Sequence, residues 1–429
     1  MIKDIYDLLK DDLDKIVTDT RILKPGDIFL TLKGERFNGN DFVDQALEKN
    51  VKFVIADEIS SVDSRVLSVP NAYQCLVELA KHHREVLQTF IIAITGTNGK
   101  TTSKELIKNI FQKKYNTIAT EGNLNNHIGV PLTLLKLKPE HEFLILEMGA
   151  NKKGDIAELC EISDPDVGLI TNIGKAHLEG FGNESGVLET KTELFNYLNK
   201  ENKLVFLNYN SPAIFKIRAM YPNSISYGTD HQDAEYTYEL LSAIPSIQLI
   251  DHSTLFKQHF TSNLFGDHNF ENLMLAITVA HHFEIPNERI QSGIDAYVPN
   301  NMRSQVMKYR NNTIVLDAYN ANPSSMLMAI KSIEQYPHSF KWIILGSMAE
   351  LGKFSIEEHT GIIEYINSFQ FEKIILVGKE FQITNLKVNT LWFENTEECK
   401  IWLEQNFPSG KLILIKGSRS IGLEKLVIN

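Results

Sequence analysis

Residues 95–102 read Thr-Gly-Thr-Asn-Gly-Lys-Thr-Thr, residue types suited to holding phosphate. Gly96 and Gly99 allow backbone angles that a side chain forbids. Lys100 carries a positive charge for the outer phosphates of a nucleotide, and the Thr101 hydroxyl suits Mg²⁺. An apolar run at 91–94 precedes the loop and a helical pattern at 103–110 follows it. Strand, glycine turn and helix in that order aim backbone N–H groups and a helix N-terminus at one spot. The string is a short form of the general phosphate-loop pattern, because Ile94 stands where a first glycine would be.

Other residues could share that chemistry. Glu147 ends a buried-type strand, Glu142-Phe143-Leu144-Ile145-Leu146. An acid at the carboxyl end of a strand beside such a loop is where a nucleotide site places a Mg²⁺ ligand, and hard cations want oxygen. The bland alternative is an ordinary strand-end charge. The run 167–174 delivers His177 and Glu179, and a helix from near 185 carries Lys191 and Glu193. His177 reads equally as a site residue or a structural one, and Lys191, taken bare, as a solvated helix lysine. Asn269 and Asn272 are three apart on one helix face. An asparagine amide can pair with both a donor and an acceptor on an adenine edge, although Asn269 also suits a helix cap. The loop 121–131 contains Asn125 and Asn126, suited either to a sugar or peptide ligand or to a plain turn. Arg21, Lys33 and Arg36 either gather around an anion or stand as solvated charges.

The elements that must position these residues follow from periodicity. The chain has 429 residues, enough for two or three domains. Residues 1–87 read as a small α/β domain, 88–299 as the segment around the glycine loop, and 300–429 as strands alternating with helices. Such alternation implies a parallel, doubly wound sheet. Its strands fall at 313–316, 342–345, 373–377 and 412–415, and four polar or glycine loops follow them on one edge. The short alternating runs at 225–265 read as antiparallel hairpins. A formal charge of −11 argues against a general nucleic-acid binder, whose affinity rests on Lys and Arg. Three scattered cysteines give no disulfide or metal spacing, which implies a reducing, cytosolic setting. No signal peptide is legible, nor any run of about 18 apolar residues for a membrane span.

The glycine loop resembles the ATP loop of the Mur ligases of bacterial cell-wall synthesis. So do Asn123 to Pro131, Glu147-Met148-Gly149-Ala150-Asn151, Ala176 to Gly182, Tyr319-Asn320-Ala321-Asn322-Pro323 and Lys416-Gly417-Ser418-Arg419. The resemblance spans nearly the whole chain. It implies three domains: a small α/β one for UDP, a central P-loop ATPase-like one with a mostly parallel sheet and an antiparallel part, and a Rossmann-like doubly wound one. It implies an ATP-dependent amide ligase with ATP and Mg²⁺ as cofactors. The strings at 147–151 and 319–323 point to the member that joins D-alanyl-D-alanine to a UDP-N-acetylmuramoyl-tripeptide. A neighbouring Mur-type ligase adding one amino acid, or a folylpolyglutamate-synthase-like ligase, is the alternative.

By resemblance, Thr95, Gly96, Thr97, Asn98, Gly99, Lys100, Thr101 and Thr102 wrap ATP, with Asn269 and Asn272 at the adenine and Arg303, Asp317, Tyr319 and Asn320 facing the nucleotide. Thr101, Glu147, His177 and Lys191, the last as a carbamate, hold the metal, and Lys100, Lys191 and His177 serve catalysis. Thr20, Arg21, Lys33, Arg36, Asn125, Asn126 and Asn322 bind substrate. The implied enzyme is a cytoplasmic monomer. The chain departs from the family at Ser347, where an aspartate is usual, and at Ala318, where a serine or threonine is usual.

Overall fold

A helix, Ile2–Leu9, opens the chain, and short parallel strands follow it. The computed structural model describes residues 1–34, 37–59, 63–175, 178–229, 233–253, 257–382 and 388–427. The chain divides into two compact units, one made of 1–93, 115–149 and 155–167, the other of 94–114, 150–154 and 168–429.

In the first unit, strands Ile16–Val17, Ile28–Leu30, Phe53–Ala56 and Val66–Ser68 lie side by side in that order, all parallel. Ile28, Phe29 and Leu30 are all buried, as expected of a parallel strand covered on both faces. The helix Val43–Glu48 turns Val43 and Ala46 onto Phe29 and Val54. Val43, Phe29 and Val54 each contribute about 1.5–3 kcal/mol when taken fully from water, and Ala46 less. The helix Ala72–Leu87 starts where the Asn71 side chain accepts a hydrogen bond from Gln74 N. Strands Thr117–Ala119 and Phe143–Glu147 then pair in parallel, and the second ends on Glu147.

In the second unit, the end of strand Phe90–Thr95 enters the glycine loop and then the helix Lys100–Phe111. Leu204–Asn208 pairs in parallel with Ser224–Gly228, which pairs in parallel with Tyr236–Ser242. Only from Tyr236 onward does the sheet turn antiparallel, through Gln248–Asp251 and Gln258–Thr261. The expected run of hairpins over 225–265 is therefore corrected at its start. Alternation reports which face a residue occupies, not the direction of the neighbouring strand. The helix Asp267–His282 is buried without interruption from Asn272 to Ala280, and it packs on Lys100–Phe111.

The last sheet has the order Gln305–Tyr309, Asn312–Asp317, Leu412–Lys416, Lys341–Gly346, Lys373–Val377, Thr390–Phe393. Its first pair is antiparallel and the rest parallel. Helices Pro323–Gln335 and Ser355–Asn367 cover one face through Met326, Ile330, Ile362 and Ile366. The helix Thr396–Asn406 covers the other through Cys399 and Leu403. Doubly wound geometry is thus present, with two edge strands that the sequence pattern did not reveal. Gln305–Tyr309 is joined to its partner by Arg310 and Asn311, both at positive φ. This tight reversal lacks the usual glycine. Among the described residues no helix is long and apolar enough to cross a membrane.

Candidate active site

The glycine loop is shaped by close backbone approaches. Gly96 has φ +141° and Gly99 +79°, and a Cβ on Gly99 would lie 2.2 Å from Asn272 Oδ1. Thr97 N donates to Asn172 O (2.9 Å), Asn98 N donates to Asn172 Oδ1 (3.0 Å), and Asn172 Nδ2 returns a bond to Asn98 O (3.0 Å). The turn after strand Val167–Ile170 therefore holds the loop from one side. Lys100 Nζ donates to Gly96 O (2.7 Å) and Thr97 O (3.1 Å), folding the ammonium over its own loop. No side chain caps the helix at Gly99, and its first turn contains no acid. Its leading N–H groups and the positive end of its dipole suit an anion.

A chain of polar bonds runs from this helix into the last sheet. Ser103 Oγ donates to Asn272 Oδ1 (3.1 Å), and Asn272 Nδ2 donates to Asn269 Oδ1 (3.0 Å). Asn269 Nδ2 donates to Phe265 O (2.9 Å) and lies 3.2 Å from His268 Nε2, which also meets Ser304 Oγ at 3.2 Å. Both asparagines are buried, and their amides serve this chain. Burial holds His268 below the ordinary histidine pKa. Ser304 N donates to Asp317 Oδ1 (3.1 Å), and Lys416 Nζ donates to Asp317 Oδ2 (2.6 Å). Burial alone would raise the Asp317 carboxyl, but the Lys416 ammonium holds it below the usual range.

The loop after Asp317 returns to the glycine loop. Asn322 caps the helix Pro323–Gln335 through Ser325 N, and its Nδ2 donates to Asn98 Oδ1 (2.8 Å). Ser324 Oγ accepts from Lys175 N (2.9 Å). Arg303 stacks 3.8 Å from the Tyr319 ring centre, and Arg419 lies 5.2 Å from it. Asn320 is exposed, with Oδ1 accepting from Ala321 N. Neither Lys416 nor Arg419 was singled out from sequence, although their basic loop was. Asp317 and Lys416 stand opposite each other in register on adjacent parallel strands.

Lys191 is 2% exposed, with Nζ 5.3 Å from the Phe181 ring centre. The expectation of a solvated helix lysine is therefore corrected: residue 191 lies on the inward face of the helix Glu184–Lys200, with Val187, Leu194 and Leu198. His177 and Arg36 lie outside the described residues.

Within the first unit, Glu147 is 2% exposed. Its Oε1 accepts from Asn125 Nδ2 (2.9 Å), while Oε2 is buried with no hydrogen-bond partner among the described residues. An unpartnered buried carboxylate oxygen is costly and calls for a ligand. A hard cation such as Mg²⁺, which takes one or two protein carboxylates and completes its shell elsewhere, fits that donor. No group of three His, Cys, Asp or Glu suited to a metal occurs among the described residues. Asn126 Oδ1 accepts from Ile128 N and Gly129 N, shaping the start of the next helix. Thr20 O accepts from Lys49 Nζ, Arg21 forms a two-pronged pair with Asp19, and Lys33 pairs with Glu58. Each of these two cations thus has its own acid.

Three domain families match in succession: "Mur ligase family, catalytic domain" over residues 13–91, "Mur ligase middle domain" over 94–280 and "Mur ligase, glutamate ligase domain" over 302–419. A UDP-N-acetylmuramoyl-tripeptide--D-alanyl-D-alanine ligase of Buchnera aphidicola is 34% identical, covering 97% of this chain and 92% of that protein. Among solved structures, MurF from Acinetobacter baumannii superposes with a TM-score of 0.86 at 28% identity, covering 96% of this chain and 92% of that one. MurF ligase from Thermotoga maritima in complex with ADP gives 0.85 at 27% identity, covering 97% of each chain.

Proposed function

We propose, from the premise that the chain belongs to the Mur ligase family, that it joins D-alanyl-D-alanine to a UDP-N-acetylmuramoyl-tripeptide in an ATP-driven step of peptidoglycan synthesis. Likeness over nearly the full length to ligases of that name carries the reading. The intact phosphate loop supplies its chemistry.

A carboxylate is a poor acyl donor, because its charge repels an amine and oxide is a poor leaving group. Phosphorylation by ATP turns the terminal carboxylate of the tripeptide into an acyl phosphate. Lys100 and the N–H groups at the start of the Lys100–Phe111 helix stabilise charge on the moving phosphoryl group, a task of positioning and electrostatics. The amine of the dipeptide then attacks the acyl carbon, and the tetrahedral adduct expels phosphate. The Asn322 amide, bonded to Asn98, ties the last sheet to the loop and helps keep water from the acyl phosphate.

Thr101, Glu147, His177 and a carbamylated Lys191 are the residues we assign to Mg²⁺. When bound, the ion supplies Lewis-acid neutralisation of phosphate charge. Thr20, Arg21, Lys33 and Arg36 are assigned to the UDP-sugar, and Asn125, Asn126 and Asn322 to the peptide portions. We place domain boundaries at 1–87, 88–299 and 300–429, in a cytoplasmic, monomeric enzyme.

Phosphate release against a panel of UDP-muramoyl peptides and amines tests the proposal. Release is expected only when the tripeptide and D-alanyl-D-alanine are both present. Equal release with a single amino acid, or with no amine, would contradict it.

A further inference from the structure

We infer that Lys416 is a positioning residue: through Asp317 it holds a strained turn at 302–304 and so fixes where Arg303 points. The inference rests on the ligase reading above, with Arg303 facing the nucleotide.

Arg303 sits between two residues whose backbone resists its own conformation. Met302 has φ +58° and Ser304 has φ +51°, and neither is a glycine. Residues with side chains rarely adopt such angles, and the strain persists only where neighbours enforce it. Arg303 Nε is buried with no hydrogen-bond partner among the described residues, and the guanidinium stacks 3.8 Å from the Tyr319 ring centre. Backbone direction and stacking therefore aim this cation.

Hydrogen bonds to distant groups enforce the turn. Met302 N donates to Gln305 Oε1 (3.3 Å), and Met302 O accepts from Tyr319 N (3.2 Å). Ser304 Oγ meets His268 Nε2 (3.2 Å), and Ser304 N donates to Asp317 Oδ1 (3.1 Å). Only the last of these has a carboxylate as its acceptor, and bonds to ions are about twice as strong as neutral ones.

Lys416 keeps that acceptor charged and in place. It is 2% exposed, and a buried ammonium is costly unless it is paired. Its Nζ donates to Asp317 Oδ2 at 2.6 Å and to Asn320 O at 3.4 Å, so it grips both sides of Tyr319. Without the ammonium, burial favours the neutral carboxyl, and Ser304 N loses its charged acceptor. His268, the other titratable group facing Asp317, is held below its ordinary pKa by burial and does not replace that charge at neutral pH.

The test is a double-mutant cycle on phosphate release with the tripeptide, ATP and D-alanyl-D-alanine. Lys416→Met should lower kcat about tenfold or more, but less than about twofold when Arg303 is already alanine. Lys416→Arg, which keeps the charge, should retain most of the turnover. Ser304→Gly loosens the same turn without stranding a buried charge, because glycine adopts positive φ freely and is not confined to it. Its loss should likewise be confined to proteins that carry Arg303, so the inference is tested even where Lys416→Met fails to fold. Equal losses with and without Arg303, or a raised KM for D-alanyl-D-alanine at unchanged kcat, overturn the inference. An Arg303→Ala protein as active as the wild type overturns the placing of Arg303 at the nucleotide, and the inference with it. A wild type that releases no phosphate with all substrates present instead overturns the ligase reading on which the inference rests.

Discussion

Lys100→Ala should lower turnover by on the order of a thousandfold, with the fold intact. The ammonium donates to Gly96 O and Thr97 O, so without a nucleotide its charge rests on its own loop. Those carbonyls are weak competitors for a cation that can instead meet phosphate oxygens, where charge-assisted bonds are about twice as strong. The loop itself is held by other groups: Asn172 bonds Thr97 and Asn98, and Thr171 Oγ1 donates to Asn98 O at 2.6 Å. Removing the lysine therefore strips the transition state of a charge without dismantling the loop. Steady-state phosphate release and a thermal melt together check this. Unchanged turnover, or a collapsed melting temperature, would contradict it.

Lys191→Ala should cost on the order of a hundredfold in turnover and regain part of it with added acetate or formate. The side chain is buried against Phe181, and a bare ammonium there would repel a divalent cation. The ammonium gives up one proton, the neutral amine nitrogen then bonds to carbon dioxide with loss of a second, and a cation is replaced by an anionic oxygen ligand. A small carboxylate entering the space left by the variant supplies the same oxygen donor. The rescue should saturate with carboxylate concentration and be absent in the wild type. Full activity in the variant, or a loss that no carboxylate relieves, would remove the carbamate from the account.

Much of this was legible in the residues because it depends on local pattern. The apolar runs before Gly96, Gly378 and Gly417 are strands, as their continuous burial requires. The strand, glycine turn and helix order around Lys100 appears as expected. What sequence did not show was set by distant partners. Nothing near Asn272 reveals that Ser103, 169 residues away in the chain, would engage it. Lys191, by contrast, stands at helical spacing from Val187, Leu194 and Leu198, an apolar stripe that marks its face as inward. Arg21 has Asp19 two residues away, a pairing that close inspection could have found, whereas Lys33 meets Glu58 across a strand crossover. The hairpin at Arg310 and Asn311 carries no glycine signal in the sequence, because its turn residues adopt positive φ without one.

The central claim is that phosphate passes from ATP to the tripeptide's carboxylate before the amine attacks. Labelling both carboxylate oxygens of the tripeptide with a heavy isotope and weighing the released phosphate tests it directly. An acyl phosphate requires one labelled oxygen to leave in inorganic phosphate for each peptide bond formed. Unlabelled phosphate accompanying full peptide formation would contradict the account.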